Sequence, residues 1–376
     1  MNTPELREQC AQQLLAGAAT AGRMTAFVGL DGFVDEILHV VDKRDGENSF
    51  QRLATISKLA ERLAAAAGKS TNLEIVNRAT KLGGNGPIMA NALASFGLKV
   101  TCLGNLGWPN LHPVFAGFAK CAEVHSIAEP SHTDALEFDD GKIMMGKLLS
   151  LNEVNWPNIQ SRYGRDRFSA QLTGADLVGF VNWTMLTHMG EIWKATLKEI
   201  CPSMKGKRRL MFFDLADPEK RKPDDIRQAL KTITEFEKYF DVILGLNEKE
   251  AHEIGEVLGL QAAGKSLDAL SVLALEINRL VPVNTLVIHP VSYALAAGNG
   301  AVSLVQGPFT PKPVITTGAG DHFNSGFCLG KLLGLDNAQS VLTGVTTSGH
   351  YVRTAQSPGI PGLAKMLRSW PEQSGA

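Results

Sequence analysis

Gly318, Ala319 and Gly320 stand directly before a carboxylate, Asp321, and directly after the β-branched run Val314, Ile315, Thr316 and Thr317. Phe323, Phe327 and the pair Leu332 and Leu333 then recur at helical spacing, so the glycine-rich turn is predicted to open a helix. A helix N-terminus presents unpaired N–H groups and the positive end of the helix dipole, and both attract anions. Gly318 and Gly320 carry no side chain that would keep a phosphate away from that backbone. Asp321 follows where a carboxylate can take the proton of a hydroxyl attacking the phosphate. An anion cradle beside a base is the minimum equipment for phosphoryl transfer to an alcohol. The plain alternative is that Asp321 only caps a helix.

Other constellations are read the same way, each beside its ordinary alternative. Gly83, Gly84, Asn85 and Gly86 precede a helix predicted over 87–96, with Pro87 suited to its first turn. Such a turn lets backbone approach a ligand, or merely starts the helix. Asp31 and Asp35 follow an apolar strand predicted over 25–30. A carboxylate there can accept from two sugar hydroxyls at once, or sit solvated in a turn. Asn247 and Glu250 follow another strand. That pair starts a helix as a capping box, and a carboxylate in that place can also organise Mg²⁺ through water. Residues 259–266 satisfy the P-loop pattern by letter, but 251–258 reads as a helix, so no strand precedes them. A P-loop needs that strand. The stretch is predicted to be an inter-helix loop, with Lys265 on the surface.

The run 317–323 resembles the second signature of the PfkB/ribokinase-like carbohydrate kinases, with His322 where a small residue is more usual. The resemblance implies that Asp321 is the catalytic base and that Thr317, Gly318, Ala319 and Gly320 form the anion hole. The turn at 83–86, closing at Phe96 and Gly97, resembles the family's first signature, but Ile88 replaces its Asn. Asn85 and Asn91 carry the nearest amides. The sugar contacts implied are Asp31, Asp35, Gly83, Gly84 and Asn85, with Asp35 at the nearer spacing. Asn247 and Glu250 match the family's Asn-x-x-Glu motif, which organises magnesium and phosphate largely through water. His289 and Pro290 stand where a glycine-rich turn is usual near the nucleotide. Ser348, with Gly349 and the turn Ser357, Pro358 and Gly359, either completes an adenine pocket or ends a helix.

The implied activity is ATP-dependent transfer of the γ-phosphoryl group to a sugar or sugar derivative. ATP and Mg²⁺ are the implied cofactors, and a monovalent cation is a further candidate. A nucleoside kinase of the same fold is the first rival. A catalytically silent sugar-binding regulator is the second, motivated by Ile88 and by His289 and Pro290, and opposed by an intact Asp321.

These residues need a scaffold. Short apolar runs predicted as strands at 25–30, 99–103, 175–181, 210–214, 241–245 and 285–289 alternate with helical patterns. That alternation argues an α/β fold, a mainly parallel sheet flanked by helices, with ligands at the strands' carboxyl ends. Two segments break it: 36–49, which is strand-like and turns at Asp45 and Gly46, and 132–147, a hairpin signal at Asp140 and Gly141. In the family resembled, such segments form a small β lid over the sugar, often buried by dimerisation. The expectation is one ribokinase-like domain over 1–376, forming a homodimer through that lid.

Of the 376 residues, 44% are hydrophobic and 20% charged, which suits an ordinary globule with a large core. A net charge of −1 gives no reason to expect nucleic acid or an anionic membrane as partner. The cationic run 205–209 reads as a solvated loop. The five cysteines are scattered without a C-x-x-C pair, so neither disulfides nor zinc is expected. The first twenty residues read as an amphipathic helix rather than a signal peptide, and no apolar run is long enough to span a membrane. The expected location is the cytoplasm.

Overall fold

Aromatic and β-branched runs too short for helices become strands, and the longer periodic segments between them become helices. The computed structural model describes residues 2–261, 264 and 266–371. In chain order the strands are β1 (Thr25–Leu30), β2 (Phe33–Arg44), β3 (Phe50–Arg52), β4 (Ile75–Gly83), β5 (Lys99–Gly104), β6 (Glu123–Ser126) and β7 (Ser131–Phe138). There follow β8 (Gly141–Lys147), β9 (Leu177–Phe180), β10 (Arg209–Asp214), β11 (Phe240–Leu246), β12 (Thr285–Ile288), β13 (Tyr293–Gly298) and β14 (Ala301–Gln306).

Nine of them form one sheet in the order β14-β13-β12-β11-β10-β9-β1-β5-β6. From β12 to β6 every pairing is parallel, and β13 and β14 add an antiparallel edge. Strands β9 and β12 are buried at every position, as a parallel sheet covered on both faces requires. Two apolar clusters flank the sheet. One contains Phe27, Phe180 and Phe213, with Trp193 packed edge-on to Phe213 at 5.0 Å. The other joins Val28, Met89 and Phe212 to Phe323 and Phe327. Asp31, Asn182, Asp214, Asn247 and His289 all fall at or just beyond the carboxyl ends of parallel strands. Such sheets bind ligands at that edge.

The remaining five strands form a second sheet in which β2 pairs with β3, β4 and β7, and β7 with β8. The two segments that break the α/β pattern lie in it, with small differences. Strand β2 begins already at Phe33, so Asp35 sits within a strand rather than in a turn. The second hairpin turns at Asp139 and Asp140, because Phe138 already pairs with Gly141. Strand β4 has no counterpart in the sequence reading. Most of its residues are exposed, so it carries no apolar alternation to read.

The look-alike P-loop stretch lies between the helices Glu248–Val257 and Leu267–Leu280, with no strand leading into it. Lys265 itself lies outside the described residues. All five cysteines are free. Among the described residues, no helix is long and apolar enough to cross a membrane. The cationic run is largely exposed, but Arg208 pairs with Glu237 and Asp241.

Candidate active site

The glycine-rich turn opens the helix Ala319–Leu332. Gly318 is its N-cap, in the left-handed region at φ 87°, and no side chain caps the helix. Glycine takes that conformation without the steric cost other residues meet there. Asp321 lies inside the first turn, only 8% exposed, and its Oδ1 accepts from Asn85 Nδ2 at 3.0 Å. Burial lifts its pKa to about 8, the charge of Asp31 adds to the rise, and the Asn85 hydrogen bond opposes it.

Side chains from this helix, from the next one (Asn337–Thr354) and from the loop after it hold the turn in place. Tyr351 Oη donates to the Thr317 carbonyl at 3.0 Å, and His322 Nδ1 donates to the Gly318 carbonyl at 2.7 Å. The other ring nitrogen of His322 then accepts from Ser357 Oγ at 2.8 Å, and Ser357 accepts from Asn91 Nδ2 at 3.3 Å. The His322 and Tyr351 rings stack at 3.6 Å. Burial lowers the His322 pKa to about 4, which keeps the ring neutral in this network. Of the two amides near the first glycine turn, Asn85 therefore faces Asp321 and Asn91 faces Ser357. Ile88 packs over the turn: a methyl group at Gly318 would lie 3.3 Å from its Cγ2.

The two aspartates after β1 have different surroundings. Asp31 is 0% exposed and accepts from Asn85 N at 2.9 Å, Gly86 N at 2.7 Å and Asn182 Nδ2 at 2.8 Å. These bonds tie the glycine turn to the end of β1 and leave the carboxylate no open face. Asp35 is tied to the side chain of Thr133, and burial raises its pKa. It lines an open cavity. Gly83 makes room for it, since a methyl group there would come within 2.3 Å of its carboxylate.

Asn247 and Glu250 form a full capping box for the helix Glu248–Val257. The Glu250 oxygens accept from Asp217 N and Asn247 N, both at 2.8 Å, so the capping reading is structurally real. The pair also lines a pocket with Asp321 and with a residue missed by sequence reasoning, Asp214. Asp214 accepts from Ala216 N at 2.8 Å and from Asn324 Nδ2 at 2.9 Å. Burial, with Glu250 and Asp321 nearby, pushes its pKa well above the carboxylate range. The signal that would have found it is a carboxylate ending a predicted parallel strand. Ala216 and Asp217 both take left-handed conformations at this pocket, φ 57° and 65°. Strained backbone of this kind clusters at functional sites.

Three cavities meet along residues 316–321, and a fourth, of about 530 Å³, adjoins the turn at Thr317 and His322. One of about 790 Å³ lies against the small sheet, lined by Asp35, Lys81, Glu137, Lys142, Thr316 and Thr317. A mostly apolar one of about 400 Å³ runs past Thr316, Ala319 and Gly320 to Ser348, Gly349 and Val352. The acidic pocket, about 270 Å³, touches Gly320 and Asp321. His289 lines both of the latter two and lies tilted against Phe323 with ring centroids 4.8 Å apart, so it supplies a wall where the sequence lacks a glycine turn.

Comparison with known proteins agrees with this architecture. The model of the prokaryotic ketohexokinase family matches residues 2–370. A ketohexokinase from Haloferax volcanii is 27% identical over 333 residues, which cover 88% of this chain and 87% of that protein. Among solved structures, the ribokinase of Arabidopsis thaliana complexed with ribose and ATP superposes with a TM-score of 0.63 at 15% identity, covering 92% of this chain and 98% of that one. The Methanocaldococcus jannaschii nucleoside kinase gives 0.57 at 15% identity, covering 92% and 98%. These structural likenesses establish a ribokinase-like fold. The chain belongs to the prokaryotic ketohexokinase family and is a carbohydrate kinase.

Proposed function

We propose that this kinase transfers the γ-phosphoryl group of ATP to a hydroxyl of a ketohexose. The observation that carries the reading is the meeting of the three cavities at residues 316–321. The apolar cleft beside Ser348 takes the nucleotide and the cavity under the small sheet takes the sugar. In between, the backbone N–H groups of Gly318 and Gly320 face the group in transfer, while that of Ala319 donates to the Thr316 carbonyl at 3.1 Å. Asp35 binds sugar hydroxyls, while Asp31 holds the Gly83, Gly84 and Asn85 turn against the site. Asp321 removes the proton from the attacking hydroxyl as its oxygen bonds to the γ-phosphorus. The bond from that phosphorus to the bridging oxygen breaks, and ADP leaves with the electron pair. The amides stabilise charge on the transferred oxygens where it develops.

The acidic pocket suits Mg²⁺, which takes oxygen ligands and keeps several waters. Asp214 offers a carboxylate that lines the pocket, and Glu250 acts through water. A bound Mg²⁺ would neutralise phosphate charge. A nucleoside acceptor is less well served, since Phe138 is the one aromatic residue lining the sugar-side cavity. The small sheet acts as the lid of a single domain and as the surface for a homodimer.

The test is a coupled ADP-release assay with purified protein over ketohexoses, aldohexoses, sugar phosphates and nucleosides, with product mass confirmed. ATP-dependent phosphorylation of fructose above all other acceptors supports the reading. Preferential turnover of a nucleoside, or none with any ketohexose, overturns it.

A further inference from the structure

The cavities around the glycine turn differ in charge. The nucleotide-side cleft has no lysine or arginine in its lining, and the acidic pocket is lined by Asp214, Asp217, Glu250 and Asp321. Among the described residues that line these cavities, the lysines and arginines are Arg52, Lys81 and Lys142 of the small sheet. Each has a carboxylate nearby, and Lys142 itself lies opposite Glu137 in the β7–β8 register. Arg52 pairs with Asp139, and Lys81 lies opposite Asp35 in the β2–β4 register. Lys142, on β8, makes no ion pair among the described residues, and its Nζ donates to Thr317 Oγ1 at the start of the anion turn.

From this placement we propose that Lys142 is a catalytic residue whose ammonium group contacts the γ-phosphoryl oxygens as they pass from ATP to the sugar. Thr317 holds the ammonium group beside the turn, and the phosphoryl oxygens take its place when nucleotide binds. A flexible, compact ammonium suits that exchange. The cation is costly to hold there without an anion, because burial and the neighbouring Lys81 both lower its pKa, against Glu137 and Asp35. The bond changes are those of the transfer itself. The acceptor oxygen bonds to the γ-phosphorus, the bridging P–O bond breaks toward ADP, and the proton goes to Asp321. Lys142 changes no bond and balances charge on the moving group. Since it sits on the small sheet, full charge balance requires that sheet to be closed over the sugar.

The proposal rests on the ATP-dependent reading and is separable from it. Lys142→Met should lower kcat by about 10²- to 10³-fold, the usual loss when one transition-state donor is removed. Lys142→Arg should restore part of that loss, because it keeps the charge. By calorimetry, Lys142→Met should weaken binding of a non-hydrolysable ATP analogue and leave ADP binding unchanged, which a merely structural role would not do. Wild-type turnover in Lys142→Met, or equal losses for both nucleotides, overturns the assignment. A wild-type protein inert toward every acceptor would instead sink the ATP-dependent reading.

Discussion

The two sides of the proposed site are built on opposite principles. On the central sheet, Asp31, Asp214, Glu250 and Asp321 are no more than 8% exposed, and burial raises every one of their pKa values. On the small sheet, Lys142 and Lys147 are exposed, Lys81 is half-buried, and strand β4 lies open to solvent over most of its length. A buried carboxylate held partly protonated can act on a proton near neutral pH. Exposed strands that close over a ligand can select it and then release it. The division predicts that changes on the central sheet alter turnover, whereas changes on the small sheet mainly alter acceptor affinity. Lys142 is the exception, because it reaches across to the anion turn.

The sharpest break in turnover should come from Asp321→Asn, which removes a base at nearly constant size. Loss of a positioned base costs about 10²- to 10⁴-fold in kcat, and nucleotide affinity by calorimetry should stay close to wild type. Wild-type turnover in this variant would reduce Asp321 to a structural residue. In the wild type, kcat/KM should rise with pH as the free carboxyl ionises near its pKa of about 8. Stability should run the other way. The folded-state pKa lies far above the ordinary value of about 3.9, so the folded protein binds this proton more tightly than the unfolded chain. Its contribution is fully present below about pH 4 and is lost as pH rises through about 8. Melting curves should therefore show Asp321→Asn gaining stability over wild type across that window. A constant difference would mean that the carboxyl is not desolvated.

The complementary change on the small sheet is Asp35→Ala. Substrate hydroxyls left unpaired cost about 1–3 kcal/mol each, so acceptor affinity should fall about tenfold or more while ATP binding holds. Unchanged affinity by calorimetry would place the sugar elsewhere. Gly83→Ala should act in the same direction, because the added methyl meets the Asp35 carboxylate at 2.3 Å.

A smaller effect should follow from His322→Phe, which keeps an aromatic ring against Tyr351 but removes the bond to the Gly318 carbonyl. One hydrogen bond is worth about 1 kcal/mol net, so kcat should fall severalfold to tenfold with KM for the sugar nearly unchanged. A rise in sugar KM alone would place His322 on the recognition side instead.

Legibility in the sequence follows the same division. Strands buried on both faces read as apolar runs, so the central sheet and the strand ends that carry its residues were visible. Asp321 was visible because glycines and a helical period surround it. Asp214 was passed over because an aspartate ending an apolar run has no local pattern of its own. Its role comes from Glu250 and Asp321, which are distant in sequence. Strand β4 left no signal because exposed polar residues such as Asn77, Arg78 and Thr80 carry no alternation. The Asn85 contact with Asp321 spans 236 residues, and no local spacing could have chosen between Asn85 and Asn91.

The smallest expected effect belongs to neither side. Lys265 completes a P-loop pattern by letter, and a P-loop lysine touches the transferred phosphates, so its loss would be severe. The pattern, however, needs a strand running into the glycine turn. Here the helix Glu248–Val257 comes before the stretch and the helix Leu267–Leu280 after it. Strand β11, the strand that precedes that helix, ends at Leu246 and leads directly into the Asn247 capping box. Phosphate contact is already assigned to the turn at 318–320 and to Lys142. Lys265→Ala should therefore leave kcat and both KM values within twofold of wild type, a change of no more than about 0.5 kcal/mol. A collapse of turnover with an unchanged melting curve would mean that a third region supplies the phosphate site, and the two-sided account of this enzyme would fall with it.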